Sequence, residues 1–219
     1  MAIKTKFQSG KIQFLIYVSI FLFAVCLTVN AHAEEKKTGE IQGIVKAKKA
    51  KYRKYTLAYI EKTPETYDPP AEHAVMDQKN ITFIPHVLPL LKGTTVDFLN
   101  SDDVRHNIYS PDDVADNMNL GTWFKGEARS FTFNKLGVAT MRCNVHSDML
   151  AYIVILQNPY FSMVDNDGSF TIKNVPEGQY TLKLWTKPKR SLWGKSPGAK
   201  DISVKIQAGE ITKVTFELE

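Results

Sequence analysis

The run Cys143-Asn144-Val145-His146-Ser147-Asp148-Met149 places a thiol, an imidazole and a thioether at equal intervals along the chain. Such spacing makes one tight loop that can turn all three groups toward a common point, and a fourth donor must then come from elsewhere in the fold. His106 is the candidate. It follows an apolar alternating segment, Thr95 to Leu99, after a short polar link, Asn100-Ser101-Asp102-Asp103, so it is expected near a strand end beside the loop. Two imidazoles, one thiolate and a weak axial thioether form a trigonal donor set that suits copper, with sulfur favouring Cu(I) and imidazole serving Cu(II). Taken singly, each residue has a plainer role: Cys and Met as core side chains, His as a hydrogen-bonded loop residue. Their joint spacing is what points to a metal. Ligands held by strands rearrange little on a one-electron change, so the expected function is electron transfer through a single copper, without catalysis.

The redox compartment supports this reading. Lys4, Lys6 and Lys11 precede an apolar stretch from Ile12 to Val29 that closes on Ala31-His32-Ala33, ahead of Glu34-Glu35. A positive end, an apolar middle and small residues two apart are the features of a secretory leader, residues 1–33, cleaved after Ala33. The expected location is therefore periplasmic or otherwise exported, with membrane attachment only if the leader stays in place. The leader carries Cys26 away and leaves Cys143 alone where free thiols are normally oxidised. A lone exported Cys is explained by burial, by an intermolecular disulfide or by metal ligation.

Of 28 Lys and Arg against 23 Asp and Glu, three Lys lie in the leader, so the remainder is close to neutral. No general basic field argues for nucleic acid, and the one basic run, Lys46 to Lys54, reads as a solvated hairpin.

The elements that must position the donors are strands. Segments of about five to seven residues alternate or run apolar: Ile41–Val45, Tyr55–Ile60, Thr95–Leu99, Phe131–Phe133, Val138–Cys143, Tyr152–Leu156, Ser169–Ile172, Tyr180–Trp185, Ile202–Ile206 and Ile211–Leu218. Turn residues separate them, among them Lys92-Gly93, Leu136-Gly137, Asp165-Asn166-Asp167-Gly168 and Pro176-Glu177-Gly178. No segment shows a long helical period, and short strands at this spacing predict an all-β chain of sandwiches. Three prolines between Thr63 and Pro70, and Gln157-Asn158-Pro159 after Leu156, bound a unit of residues 71–158.

That unit resembles the plastocyanin and amicyanin family of cupredoxins. The resemblance lies in His106-Asn107 followed by Cys143-x-x-His146-x-x-Met149, whose loop length is amicyanin-like. Flanking it are Phe83-x-Pro85, Gly93-x-x-Val96-x-Phe98-x-Asn100-x-Asp102 and Gly126-Glu127 with Ser130. It implies a Greek-key β-sandwich and a type 1 copper site of His106, Cys143, His146 and Met149. It also implies that Asn107 ties the ligand segments together and helps hold the Cys sulfur through a backbone hydrogen bond. Electrons would leave through the exposed edge of His146 to a redox protein, a cytochrome or a periplasmic dehydrogenase as in methylamine utilisation. Arg142 stands where many of the family carry an aromatic residue before the ligand Cys, which argues against a second exit.

Residues 160–219, with Asp165-Asn-Asp167-Gly168, Phe170-Thr-Ile172, Val175-Pro176-Glu-Gly178 and Tyr180-Thr-Leu182, resemble the carboxypeptidase-regulatory or transthyretin-like β-sandwich. Gly39 to Val45 and Leu57 to Glu61 resemble its first two strands. The resemblance makes 34–62 and 160–219 one small sandwich split by a cupredoxin insertion. Asp165 to Gly168 is a turn and no calcium loop, since the twelfth position is Pro176 where a bidentate Glu is required.

His86 and His73 are left outside the site. Two other functions compete with the electron shuttle: a copper chaperone or store, which extra Met or His clusters would favour, and a structural or adhesive β-sandwich module. A copper oxidase or nitrite reductase would need His-x-His pairs, and the chain has none.

Overall fold

In the computed structural model, residues 37–188 and 199–218 are described. The leader read from the sequence, and residues 189–198, lie outside them. Among the described residues no helix is long and apolar enough to cross a membrane.

The protein is all-β. Strands β1 (Thr38–Ala47) and β2 (Thr56–Ile60) precede a series of nine: β3 (Ala74–Gln78), β4 (Phe83–Ile84), β5 (Val87–Leu91), β6 (Thr95–Asn100), β7 (His106–Tyr109), β8 (Asn119–Trp123), β9 (Ala128–Thr132), β10 (Gly137–Arg142) and β11 (Leu150–Leu156). Five more follow: β12 (Phe161–Met163), β13 (Ser169–Pro176), β14 (Gly178–Thr186), β15 (Ile202–Ile206) and β16 (Ile211–Leu218).

They form four sheets, with strand orders β13-β1-β16, β12-β2-β14-β15, β4-β3-β6-β9 and β5-β11-β10-β7-β8. The first two share a core that includes Ile41, Ile60, Phe170, Leu182, Ile206 and Phe216. Here β1 runs antiparallel to β13 and parallel to β16. The ring of Phe170 lies so close over Gly43 that a Cβ there would meet it at 2.0 Å, so the close approach requires glycine. The other two sheets share a second core, with Phe83, Phe98, Trp123, Met141 and Ile153 all at most 1 % exposed.

Strand β11 shows how the two sandwiches meet. Alternate residues Ala151, Ile153 and Ile155 enter the second core, while Tyr152, Val154 and Leu156 pack with Leu57 of β2 and Val87 of β5 in a third cluster. Partly buried Trp185 and Phe161 add to that cluster. A strand covered on both faces cannot alternate with polar residues, which is why this segment reads as an unbroken apolar run. Pro89 fits within β5 because that strand is the sheet edge, where the missing N–H breaks no ladder.

The structure has more strands than the sequence pattern predicts. β3, β4, β5, β7, β8 and β12 are short, or broken by proline or glycine, and they are held by pairing with their sheet neighbours. His106 opens a strand of its own, β7, and Cys143 falls one residue beyond the end of β10.

Candidate metal centre

The site lies where β10 turns back into β11. Their antiparallel register ends with Arg142 opposite Leu150, so Cys143 to Met149 form the whole connection. Within it the Met149 N–H donates to the His146 carbonyl at 3.1 Å, which tightens the loop. Strand β7 is the neighbour of β10 on the other side, with Tyr109 opposite Arg142, and it brings His106 alongside.

His106, Cys143 and His146 come together: one donor atom from each lies within 4.8 Å of the others. The Nδ1 atoms of His106 and His146 are 3.2 Å apart, with ring centroids 4.9 Å apart and planes inclined by 59°. Two nitrogens each about 2.0–2.1 Å from a common centre, and subtending roughly a tetrahedral angle there, stand about 3.3 Å apart. The observed separation therefore fits two imidazoles sharing one metal ion. His106 is fully buried, Cys143 is 3 % exposed and His146 is partly exposed. Met149 is 2 % exposed and packs in the same core as Cys143, at the end of the loop. A soft thiolate beside two imidazoles, with a thioether in the same loop, is a donor set matched to copper.

Asn107 works on both sides of the site. Its backbone N–H points at Cys143 Sγ, 3.5 Å away. Its side-chain carbonyl accepts from the Asn144 N–H at 3.3 Å, and its amide donates to Asn119 Oδ1 at 2.9 Å and to the Gly121 carbonyl at 2.8 Å. One buried side chain thus ties the loop after Cys143 to the β7–β8 hairpin.

The sequence reading missed Asp102, which it took as part of a polar link. Its Oδ2 lies 2.8 Å from His106 Nε2, so the nitrogen on the far side of the ring is engaged and Nδ1 is left free to ligate. The carboxylate also accepts from the backbone N–H groups of Asn80 at 2.7 Å and Ile81 at 2.9 Å. Asn80 and Ile81 both have positive φ, 53° and 55°, in the two-residue turn closing β3 onto β4. Such values are rare for a β-branched residue, and here they aim two donors at one carboxylate. Burial works to raise the Asp102 pKa, but the Ile81 N–H, the His106 ring and the Asn80 N–H together hold it below its ordinary value. Asn100 supports the same loop, accepting from the Asp102 N–H at 2.9 Å and donating to the carbonyls of Val104 and Trp123.

His73 and His86 lie outside this cluster. His73 pairs with Asp97 at 3.0 Å, and the His86 ring packs 4.4 Å from that of Tyr55 and 5.9 Å from that of Tyr152.

A family model described as polysaccharide lyase family 4, domain II, matches residues 145–214. No curated protein matches the chain. Among solved structures, a reduced Cu(I) form of an amicyanin mutant is 21 % identical, over 45 % of this chain and 97 % of that one, with a TM-score of 0.37. A purple cupredoxin from Nitrosopumilus maritimus is 24 % identical over 37 % of this chain and 98 % of its own, with a TM-score of 0.34. A copper-containing nitrite reductase from Thermus scotoductus is 24 % identical over 44 % of this chain and 28 % of its own, with a TM-score of 0.38.

Proposed function

We propose that this chain is an exported carrier of single electrons whose copper ion is held by His106, Cys143, His146 and Met149. The observation that carries the reading is the convergence of two Nδ1 atoms, 3.2 Å apart, on a buried cysteine sulfur that faces a backbone N–H. Bound there, copper would supply a one-electron couple between Cu(II) and Cu(I).

The rest is done by the protein. Asp102 holds the His106 ring from behind, Asn107 fixes the start of the ligand loop, and the β10–β11 ladder fixes its two ends. Donors restrained in this way keep one arrangement in both oxidation states, which keeps the cost of electron exchange small. His146 is the one imidazole of the pair with an exposed edge, so it is the proposed exit toward a redox protein. Apolar side chains stand exposed on the segments around the site: Val145 beside His146, Ile81 on the turn bonded to Asp102, and Val104 and Phe124. The Arg105 guanidinium covers the Phe124 ring at 3.9 Å. An apolar rim of this kind suits brief docking with a partner.

Loading the purified protein with Cu(II) tests the reading. An intense thiolate-to-copper band and a reversible one-electron potential are expected. A protein that takes zinc but shows no such band would overturn the proposal, and a site that binds Cu(I) without a reversible couple would favour a copper store.

A further inference from the structure

A cavity of about 440 Å³ opens beside the ligand loop, and none of the roles above uses its Arg142, His86 or Lys187. Its walls come from the loop itself (Ser147, Asp148 and Met149), the end of β10 (Arg142), the start of β11 (Leu150 and Tyr152), the β3–β4 turn, His86, and the chain leaving β14 at Lys187. The volume is that of a small-molecule site.

Its charge is one-sided. Among the described residues the Arg142 guanidinium has no ion-pair partner, and Lys187 has only the face of Tyr55, 5.2 Å from its Nζ. Lys54 lies over the same ring at 4.8 Å. Asp148, the one acid in the wall, is already engaged. His86 registers the resulting field: burial first, then the charges of Lys187 and Lys54, lower its pKa to about 4, so at neutral pH it adds no charge. The rest of the wall sets Ile81, Met149, Leu150 and the ring of Tyr152 beside the hydroxyls of Thr82 and Ser147, and Leu150 and Tyr152 belong to the cluster at the sandwich junction.

We propose that this cavity binds a small organic carboxylate with a compact apolar body. The carboxylate lies between Arg142 and Lys187, and the body lies against Leu150 and Tyr152. A planar guanidinium takes a carboxylate in two parallel hydrogen bonds, which an ammonium alone cannot do, so Arg142 sets the orientation and Lys187 completes the charge. A cation is excluded by the same charges, and a large anion by the size of the walls. The binding rests on these side chains and not on the copper reading, so the two succeed or fail separately.

Benzoate is the probe, with benzamide as its neutral analogue and sulfate as an anion without an apolar body. Each is titrated into the full-length protein at low ionic strength, followed by calorimetry and by the amide resonances of Leu150 and Tyr152. The expected result is saturable one-to-one benzoate binding, weakened about tenfold or more in Arg142→Gln and in Lys187→Gln. Benzamide and sulfate should bind at least about tenfold more weakly than benzoate. Failure of benzoate to saturate, equal binding of benzamide or of sulfate, or unchanged affinity in both variants would each overturn the proposal.

Discussion

His106 Nε2 and Asp102 Oδ2 stand 2.8 Å apart, and that carboxylate is itself held by two backbone N–H groups of the Asn80-Ile81 turn. The buried imidazole is therefore anchored to a hairpin that contributes no donor to the site. Asp102→Ala removes the acceptor for all three groups at once. It should lower the stability of the metal-free protein by about 1–3 kcal/mol, with Asp102→Asn losing less, as read by urea unfolding. Because the ring behind one donor is then loose, metal affinity should also fall by about 10–100-fold, measured by competition with a chelator. Equal affinity in Asp102→Ala and the parent chain would show that the ring is positioned by packing alone.

The turn that holds Asp102 carries a local conflict. Ile81 is exposed and sits at φ 55°, where a branched Cβ costs about 1–2 kcal/mol. Glycine there makes the Asn-Gly pair that two-residue hairpins favour. Ile81→Gly should raise the unfolding free energy by about 0.5–1 kcal/mol after the added entropy of the unfolded chain. A lower melting temperature would mean that the isoleucine side chain stabilises more than its backbone strain costs.

Asn107→Ala strips the bonds to Asn144, Asn119 and Gly121. The Gly121 carbonyl and the Asn144 N–H lose their partner, so about 1–3 kcal/mol of stability should disappear. The loss should be localised: amide exchange is expected to accelerate in residues 144–149 and 119–122 before the sandwich cores respond. Uniform acceleration through both cores would contradict the role given to this side chain.

His86 predicts a pH dependence. Its pKa is lowered from 6.5 to about 4 in the folded protein by burial and then by Lys187 and Lys54. The unfolded chain therefore binds more protons than the folded one between those values, and stability rises with pH across the window. This contribution is fully present above pH 6.5 and is lost as pH falls toward about 4. His86→Phe keeps the ring against Tyr55 and Tyr152 and removes the titration, so unfolding free energies measured from pH 7 to 4 should decline less steeply. An unchanged slope would place the acid sensitivity elsewhere.

The grouping of His106, Cys143 and His146 was legible because two of the three share one short loop and the third follows a strand. Met149, at the same spacing in that loop, is the proposed fourth donor. Asp102 was not legible, since its role depends on a left-handed turn about 20 residues earlier in the chain, which the parallel pairing of β3 with β6 sets beside the end of β6. Among the strands, Thr95–Leu99 and Tyr180–Trp185 were readable from alternation, and Tyr152–Leu156 from its apolar run. β8, with Gly121 inside it, and β5, with Pro89, carry signals that on their own argue against a strand; pairing with β7 and β11 overrides them. Arg142 and Lys187 could not be linked from the sequence, because the sandwich junction alone brings them to one cavity.

The central claim is that Cys143 binds copper as a thiolate beside two imidazoles. Titration of the full-length protein with Cu(II), followed by visible absorption and electron paramagnetic resonance, tests it most directly. One equivalent should produce an intense thiolate-to-copper band with narrow copper hyperfine splitting, and Cys143→Ser should abolish both. A band that persists in Cys143→Ser, or a parent protein that stays colourless with copper bound, would contradict the account.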